Sequence, residues 1–264
     1  MVYEFDDQAR NEAAKYKISE DEATRLRASC IRKAAELGSD GVRSHSAIFS
    51  VSAWDEPSGS LPEGIPRSGR ISRGDVLDLG EQVRAGKLPA KDLLAASFVW
   101  GTGTTGYGPS RYREIVAAAG AQLEPSLQRA LTEINKGTDA ADSIAGYAQL
   151  YGGSDYDHRA PAGQPPRSRL HNFGPAFFTK FLYFSTPGAL ILDNRVANAV
   201  YKLSGLPHLV TQDGRSLAWT PYRYAVYLHW MRQTADTAGT SPEMLEATLF
   251  QPPADPMDEH DAAD

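Results

Sequence analysis

Two ionisable residues in one apolar stretch are the strongest candidates for chemistry. Lys180 is the only Lys, Arg, Asp or Glu residue between Leu170 and Leu192, and Asp193 follows directly. On a helix, the neighbours of Lys180 at three and four residues are Ala176, Phe177, Tyr183 and Phe184, which are apolar or aromatic. Burial in such surroundings lowers a lysine pKa, and the neutral amine can act as a nucleophile. The alternative is a lysine that reaches along the helix to solvent.

Asp193 stands at the start of a predicted amphipathic helix. One interpretation is an N-cap, worth about 1 kcal/mol. The other is a carboxylate held rigidly beside a cleft, where it stabilises a developing positive charge. The two are compatible because capping fixes the side chain. Lys180 and Asp193 are therefore predicted as a catalytic pair.

Arginines concentrate in two segments rich in Gly, Pro and Ser, at positions Arg67, Arg70, Arg73 and Arg159, Arg167, Arg169. Arg111 lies at a predicted helix start and Arg195 follows Asp193. Guanidinium groups near backbone donors are typical of phosphate binding, and both segments supply them. The predicted DNA contacts are Arg67, Arg70, Arg111, Arg167, Arg169 and Arg195, with solvated surface as the alternative.

Gly101, Gly103 and Gly106 match a G-x-G-x-x-G dinucleotide pattern. They follow a predicted helix, however, and no parallel-sheet unit surrounds them. We therefore expect no cofactor, but a tight loop in which the backbone approaches another group closely. Trp100 and Tyr107 flank this loop and could stack on a nucleic-acid base, as could Phe177 and Tyr183. Core packing is the alternative for Trp100.

Composition limits the remaining classes of protein to which the chain could belong. Of the 264 residues 41% are hydrophobic, and no run approaches the roughly 20 apolar residues of a membrane span. The single cysteine, Cys30, and scattered histidines predict no metal site, and a cytoplasmic monomer is expected. The net charge is −6, but residues 251–264 carry five acidic residues and no Lys or Arg, which leaves −1 for the rest. This segment is predicted to be an acidic disordered tail.

The element pattern predicts a mainly α protein. A capping box at Ser19 and Glu22 starts a helix that ends near Leu37, and residues 45–54 could hold a short strand or hairpin. From Arg73 onward, helices of 10 to 15 residues follow one another. We expect one helical domain over residues 1–250, with two lobes around a cleft, 1–72 plus 205–250 and 73–204.

The segments Gly174-Pro-Ala-Phe-Phe-Thr-Lys180 and Ile191-Leu-Asp193-Asn-Arg-Val resemble the helix-hairpin-helix DNA glycosylases, particularly bacterial proteins of the 8-oxoguanine glycosylase fold. Trp100 and the glycines after it are also similar to this subfamily. In that superfamily a hairpin ends in a lysine at a helix start, and an aspartate opens the next helix. Here Ala176 and Phe178 replace the usual hairpin glycines, although Gly174 remains as a DNA-contact candidate.

The resemblance implies excision of a modified base from double-stranded DNA by base flipping, followed by strand cleavage if Lys180 forms a Schiff base. The base could be an oxidised purine or a hypermodified phage-type base, since some relatives act against phages. The altered hairpin favours an alternative, a non-catalytic DNA-binding protein that keeps the fold.

Overall fold

The described part of the chain is mainly helical, as the sequence predicts. A computed structural model describes residues 5–55, 61–105, 107–134, 140–152, 170–186 and 188–250. The predicted tail, 251–264, and Arg159, Arg167 and Arg169 lie outside the described residues. In chain order the helices are α1 (Asp6–Ala13), α2 (Glu20–Leu37), α3 (Val51–Asp55), α4 (Arg73–Arg84), α5 (Ala90–Thr102), α6 (Tyr107–Ala119), α7 (Leu123–Ile134), α8 (Ala140–Tyr151), α9 (Pro175–Ser185), α10 (Asn194–Ser204), α11 (Pro221–Ala238) and α12 (Pro242–Phe250).

A two-stranded antiparallel sheet stands beside the helices. Strand β1 (Ser46–Ile48) pairs with β2 (Arg70–Ser72), with Ser46 opposite Ser72. The predicted short strand pair is confirmed: β1 lies within the predicted segment 45–54, while its partner β2 lies outside it and the residues after β1 form α3. The helical turn aims Trp54 inward, where it is 1% exposed and packs against Tyr112 of α6.

Local signals set the helix starts. Both halves of the predicted capping box form at Ser19 and Glu22, and Thr220 caps α11 through the Arg223 N–H. A second box, between Ser72 and Asp75, starts α4. Each satisfies backbone donors that would otherwise lack partners at a helix start.

The core is organised around three helices, α5, α9 and α11. Helix α5 packs on α4, α6, α7 and α9, while α11 packs on α1, α2, α8 and α12. Helices α5 and α9 carry few polar residues on any side, and such a helix is stable only inside a protein, which explains their placement. Helix α11 buries one side and leaves Asp236 and Thr237 exposed. The division into two lobes stays a prediction.

Candidate functional site

Helix α9 carries Lys180 into the protein. The preceding turn contains Asn172 with a φ of 60°, and α9 opens with Gly174 as N-cap and Pro175 at its first position. Proline suits this position because the first helical N–H has no partner within the helix. The helix packs on α4, α5 and α8, which removes Lys180 from most of the solvent.

The Lys180 side chain is 7% exposed. Its Nζ donates to the carbonyl of Ala176 at 3.2 Å and to Asp193 Oδ2 at 3.4 Å, and lies 5.6 Å from the Phe177 ring centre. The amine is therefore held inside the protein and does not reach along the helix to bulk water. Such a position requires the hydrogen bonds and the carboxylate that it has.

Asp193 is both a helix cap and the partner of Lys180. Its Oδ1 accepts the N–H groups of Arg195 and Val196, each at 3.1 Å, and its Oδ2 faces the amine. The side chain is 14% exposed. The two oxygens thus serve separate roles, so the cap fixes the orientation that the ion pair uses.

Three hydroxyl groups that the sequence reasoning missed position this pair. Thr179 Oγ1 accepts the Leu192 N–H at 3.2 Å and donates to the Leu192 carbonyl at 3.2 Å, which ties α9 to the residue before Asp193. From α11, Tyr224 donates to the Leu190 carbonyl at 2.9 Å and Tyr227 to the Ile191 carbonyl at 2.6 Å. Burial raises the pKa of Tyr227 well above its usual value, so it remains a neutral donor.

A cleft of about 590 Å³ opens near this pair, although neither Lys180 nor Asp193 is among the described residues that line it. It reaches Asn194, the residue after Asp193, and the first turn of α9. Among the described residues, two arginines line it and no Asp or Glu does. The lining residues are Tyr107, Arg111, Gly174, Pro175, Ala176, Phe177, Asn194, Thr211, Arg215, Ser216, Leu217, Ala218 and Trp219.

Two of the four predicted base-stacking residues line the cleft. Tyr107 is 48% exposed, and its ring centre lies 6.4 Å from that of Phe177. The other two, Trp100 and Tyr183, are 7% and 2% exposed and pack around the Arg73 guanidinium, each with its ring centre 5.0 Å away. Their placement argues against stacking on a base and favours the core alternative for Trp100.

Arg73 corrects the expectation of an exposed basic loop at 67–73. The Arg73 side chain is fully buried and forms an ion pair at 3.1 Å with Glu246, whose side chain is 1% exposed. The capping box at Ser72 starts α4 at this residue and turns its side chain inward. Its Nε and Nη2 and the Glu246 Oε1 are buried without a hydrogen-bond partner.

The other predicted DNA contacts are dispersed. Arg111 and Gly174 line the cleft. Arg67 is paired with Asp55, and Arg70 on β2 donates to Ser46 at 2.7 Å. Arg195 is exposed, with its guanidinium 5.5 Å from the Phe250 ring centre.

The glycine pattern has a structural explanation. A β-carbon at Gly101 would lie 2.8 Å from Lys180 Cδ, and Gly103 has a φ of 54°. Gly106 lies outside the described residues. The expected close backbone approach is therefore present, and the group approached is the stem of Lys180.

The described residues contain no cluster of three or more His, Cys, Asp or Glu side chains that could hold a metal ion. None of the helices in the described part of the chain combines the length and apolar character that a membrane crossing requires.

A family model described as "Putative 8-oxoguanine DNA glycosylase OGG-like protein" matches residues 40–250. The match includes Lys180, Asp193 and every residue that lines the cleft. No curated protein and no solved structure matches the chain.

Proposed function

The chain belongs to this OGG-like family, whose members are described as DNA glycosylase-like, and we propose that it excises a modified base from double-stranded DNA. The observation that carries the proposal is the buried contact between Lys180 Nζ and Asp193 Oδ2, beside a cleft with aromatic and cationic walls. A stacked base is inaccessible inside a duplex, so the target nucleotide must be extruded before reaction.

Asp193 stabilises the positive charge that develops on the sugar as the bond between C1′ and the base nitrogen breaks. Its Oδ1 is held by two main-chain N–H groups, so the carboxylate is oriented before substrate binds. Such preorganisation avoids a rearrangement during the reaction.

Lys180 supplies the nucleophile in the first route. The Asp193 carboxylate accepts a proton from Nζ, the neutral amine bonds to C1′, and the base leaves with the electron pair of the broken bond. Opening of the sugar ring then gives a Schiff base, from which the strand can be cleaved. In the second route water attacks C1′, Asp193 accepts its proton, and an abasic site remains.

Tyr107 and Phe177 form the aromatic wall that would receive the extruded nucleotide. Phe177 is stacked on Phe98 at 4.0 Å between ring centres, and is thereby held in place. The substrate class that we propose is an oxidised purine or a hypermodified phage-type base.

The experiment that tests this function is incubation with duplexes that each carry one oxidised, alkylated, deaminated or glycosylated base. We expect strand scission at one of these bases, either directly or after alkali. Scission without alkali supports the lysine route, and scission only after alkali supports the water route. If the strands of every duplex in the panel stay intact before and after alkali, the proposed excision activity is refuted.

A non-catalytic DNA-binding protein is the second candidate. The observation that favours it is the low exposure of Lys180 and Asp193, whose contact also joins α9 to α10 as a structural ion pair. This candidate predicts salt-sensitive duplex binding with no base release from any member of the panel.

A further inference from the structure

The cleft has a second wall, residues 209–217, that the proposed chemistry does not use. This segment is closed on itself: the Leu217 N–H donates to the Leu209 carbonyl at 3.0 Å, and the Thr211 N–H donates to the Arg215 carbonyl at 2.9 Å. Val210 and Ser216 form an antiparallel bridge. We call residues 209–217 the wall loop. Its internal hydrogen bonds give it a defined shape.

The wall loop is fastened to the helix that Asp193 caps. Ser216 donates to Asn194 Oδ1 at 2.8 Å, and Asn198 Nδ2 donates to the Gly214 carbonyl at 3.1 Å. Gly214 has a φ of 78°, and a β-carbon there would lie 2.8 Å from Asn198 Oδ1. Glycine is therefore required for this docking, and the loop has a fixed place relative to the catalytic pair.

Arg215 extends from the wall loop into the cleft. Its side chain is 82% exposed, and its Nε donates to Asp213 Oδ2 at 2.6 Å. Thr211 in turn donates to the other oxygen of Asp213. The terminal nitrogens of Arg215 make no hydrogen bond to any described residue. An arginine anchored through Nε presents these nitrogens as a fork, which matches two oxygens of a phosphate.

Arg111, which lies on α6 and also lines the cleft, is held in the same manner. Its Nε donates to the Asn172 carbonyl at 2.8 Å, Nη1 is bonded to the Tyr107 hydroxyl, and the guanidinium lies 5.2 Å from the Tyr107 ring centre. Both arginines of the cleft are thus anchored at Nε, Arg111 by the turn before α9 and Arg215 by Asp213 of its own loop. No carboxylate lines the cleft in the part of the chain that the structure describes, although Asp213 lies behind Arg215.

The start of α9 supplies few main-chain donors to this cleft. Pro175 has no N–H, and Phe178 is fully buried with its N–H bonded to the Gly174 carbonyl at 3.1 Å. Anion binding here therefore depends on side chains more than on the backbone.

We propose that Arg215 and Arg111 clamp a backbone phosphate of the DNA strand next to the extruded nucleotide. This proposal rests on the proposed function only in taking DNA as the ligand. The wall loop would then set where the strand lies relative to Asp193, while the aromatic residues of the cleft receive the base.

The test is fluorescence anisotropy of two labelled, unmodified duplexes of unrelated sequence, from about 50 to 300 mM KCl. Log K falls with log salt, and loss of one phosphate contact makes this negative slope shallower by about 0.9. We expect this change, with several-fold weaker binding of both duplexes, for Arg215→Ala and for Arg111→Ala. Arg215→Lys should keep the slope while binding more weakly, because lysine retains the charge but not the fork. Arg25→Ala, an exposed arginine on α2, is the matched control.

Wild-type slope and affinity in Arg215→Ala would overturn the clamp, as would a loss confined to one duplex. A third arm titrates inorganic phosphate. If Arg215→Ala loses phosphate binding but keeps duplex affinity, the site serves a free anion and the proposal fails. All of these binding measurements use unmodified DNA. If the protein binds with the expected slopes but excises no base, the proposed function is refuted and the phosphate clamp is not.

Discussion

Gly101 lies against the aliphatic stem of Lys180, so closely that a β-carbon at 101 would stand 2.8 Å from Cδ and 3.1 Å from Cε. Gly101 belongs to the last turn of α5, and Lys180 to the middle of α9. The absence of a side chain on one helix therefore determines where the amine of the other can lie.

Gly101→Ala should impair excision without unfolding the protein. The added methyl group must displace the Lys180 stem, and a misplacement of about 1 Å can reduce a rate about 100-fold. Alanine is also the better helix former by about 1 kcal/mol, which offsets part of the steric cost in stability. The measurement is the single-turnover excision rate beside the thermal midpoint. Gly64→Ala is the control, since its β-carbon would only touch Leu79 Cδ1 at 3.4 Å. A wild-type rate in Gly101→Ala would show that this contact does not position the amine.

Asp193→Asn should remove the chemistry while the fold is kept. Asparagine caps a helix about as well as aspartate, but the buried Lys180 amine loses its carboxylate, so the free energy of unfolding should fall by about 3 kcal/mol. It cannot stabilise the cationic sugar or accept a proton, and excision should fall at least about 100-fold. Duplex binding, measured by anisotropy, should remain within a few-fold of wild type. Normal excision by this variant would exclude the proposed mechanism.

The pair itself was predictable because it is local. Lys180 and Asp193 are 13 residues apart, and the turn between α9 and α10 brings them together. The capping signals at Ser19 and Thr220 were equally readable, because each acts within one helical turn.

Partners from distant segments could not be predicted in this way. Arg73 and Glu246 are 173 residues apart, and the capping box at Ser72 marks Arg73 as a helix start but gives no sign of the distant carboxylate that it meets. The place of Arg215 in the cleft could not be predicted either, because the residues next to it in sequence indicate only a turn. Which residues enter the cleft depends on how α6, α9 and the wall loop pack, and that packing is a property of the whole chain.

Lys180→Gln should distinguish the two routes of base release. Glutamine keeps much of the length of lysine but cannot form a Schiff base. Borohydride should trap a covalent complex with the wild-type protein and not with the variant, read as a shifted band on a denaturing gel. Lys202→Gln, at an exposed position on α10, should trap as wild type does. Excision without trapping in the wild type would exclude the lysine route and leave the water route.

His45 gives the fold a pH dependence that is independent of catalysis. The centre of its ring lies 5.4 Å from the ring centre of Trp100 and 6.2 Å from that of Phe250. Burial, together with the nearby cations Arg73 and Lys33, lowers the pKa of His45 from 6.5 to about 4. The folded protein therefore favours the neutral imidazole, because the charged form would lose hydration and face positive charges.

The sign of the effect follows from proton binding. Between pH 6.5 and about 4 the unfolded chain binds a proton at His45 that the folded chain does not, so the free energy of unfolding falls as the pH falls through this range. The free energy of unfolding should be measured with urea at pH 7.5 and at pH 4.5. Its decrease between the two pH values should be smaller for His45→Gln than for wild type. His171→Gln, at an exposed position, should lose as much as wild type. An equal acid loss in His45→Gln and wild type would show that carboxylates alone account for the acid sensitivity.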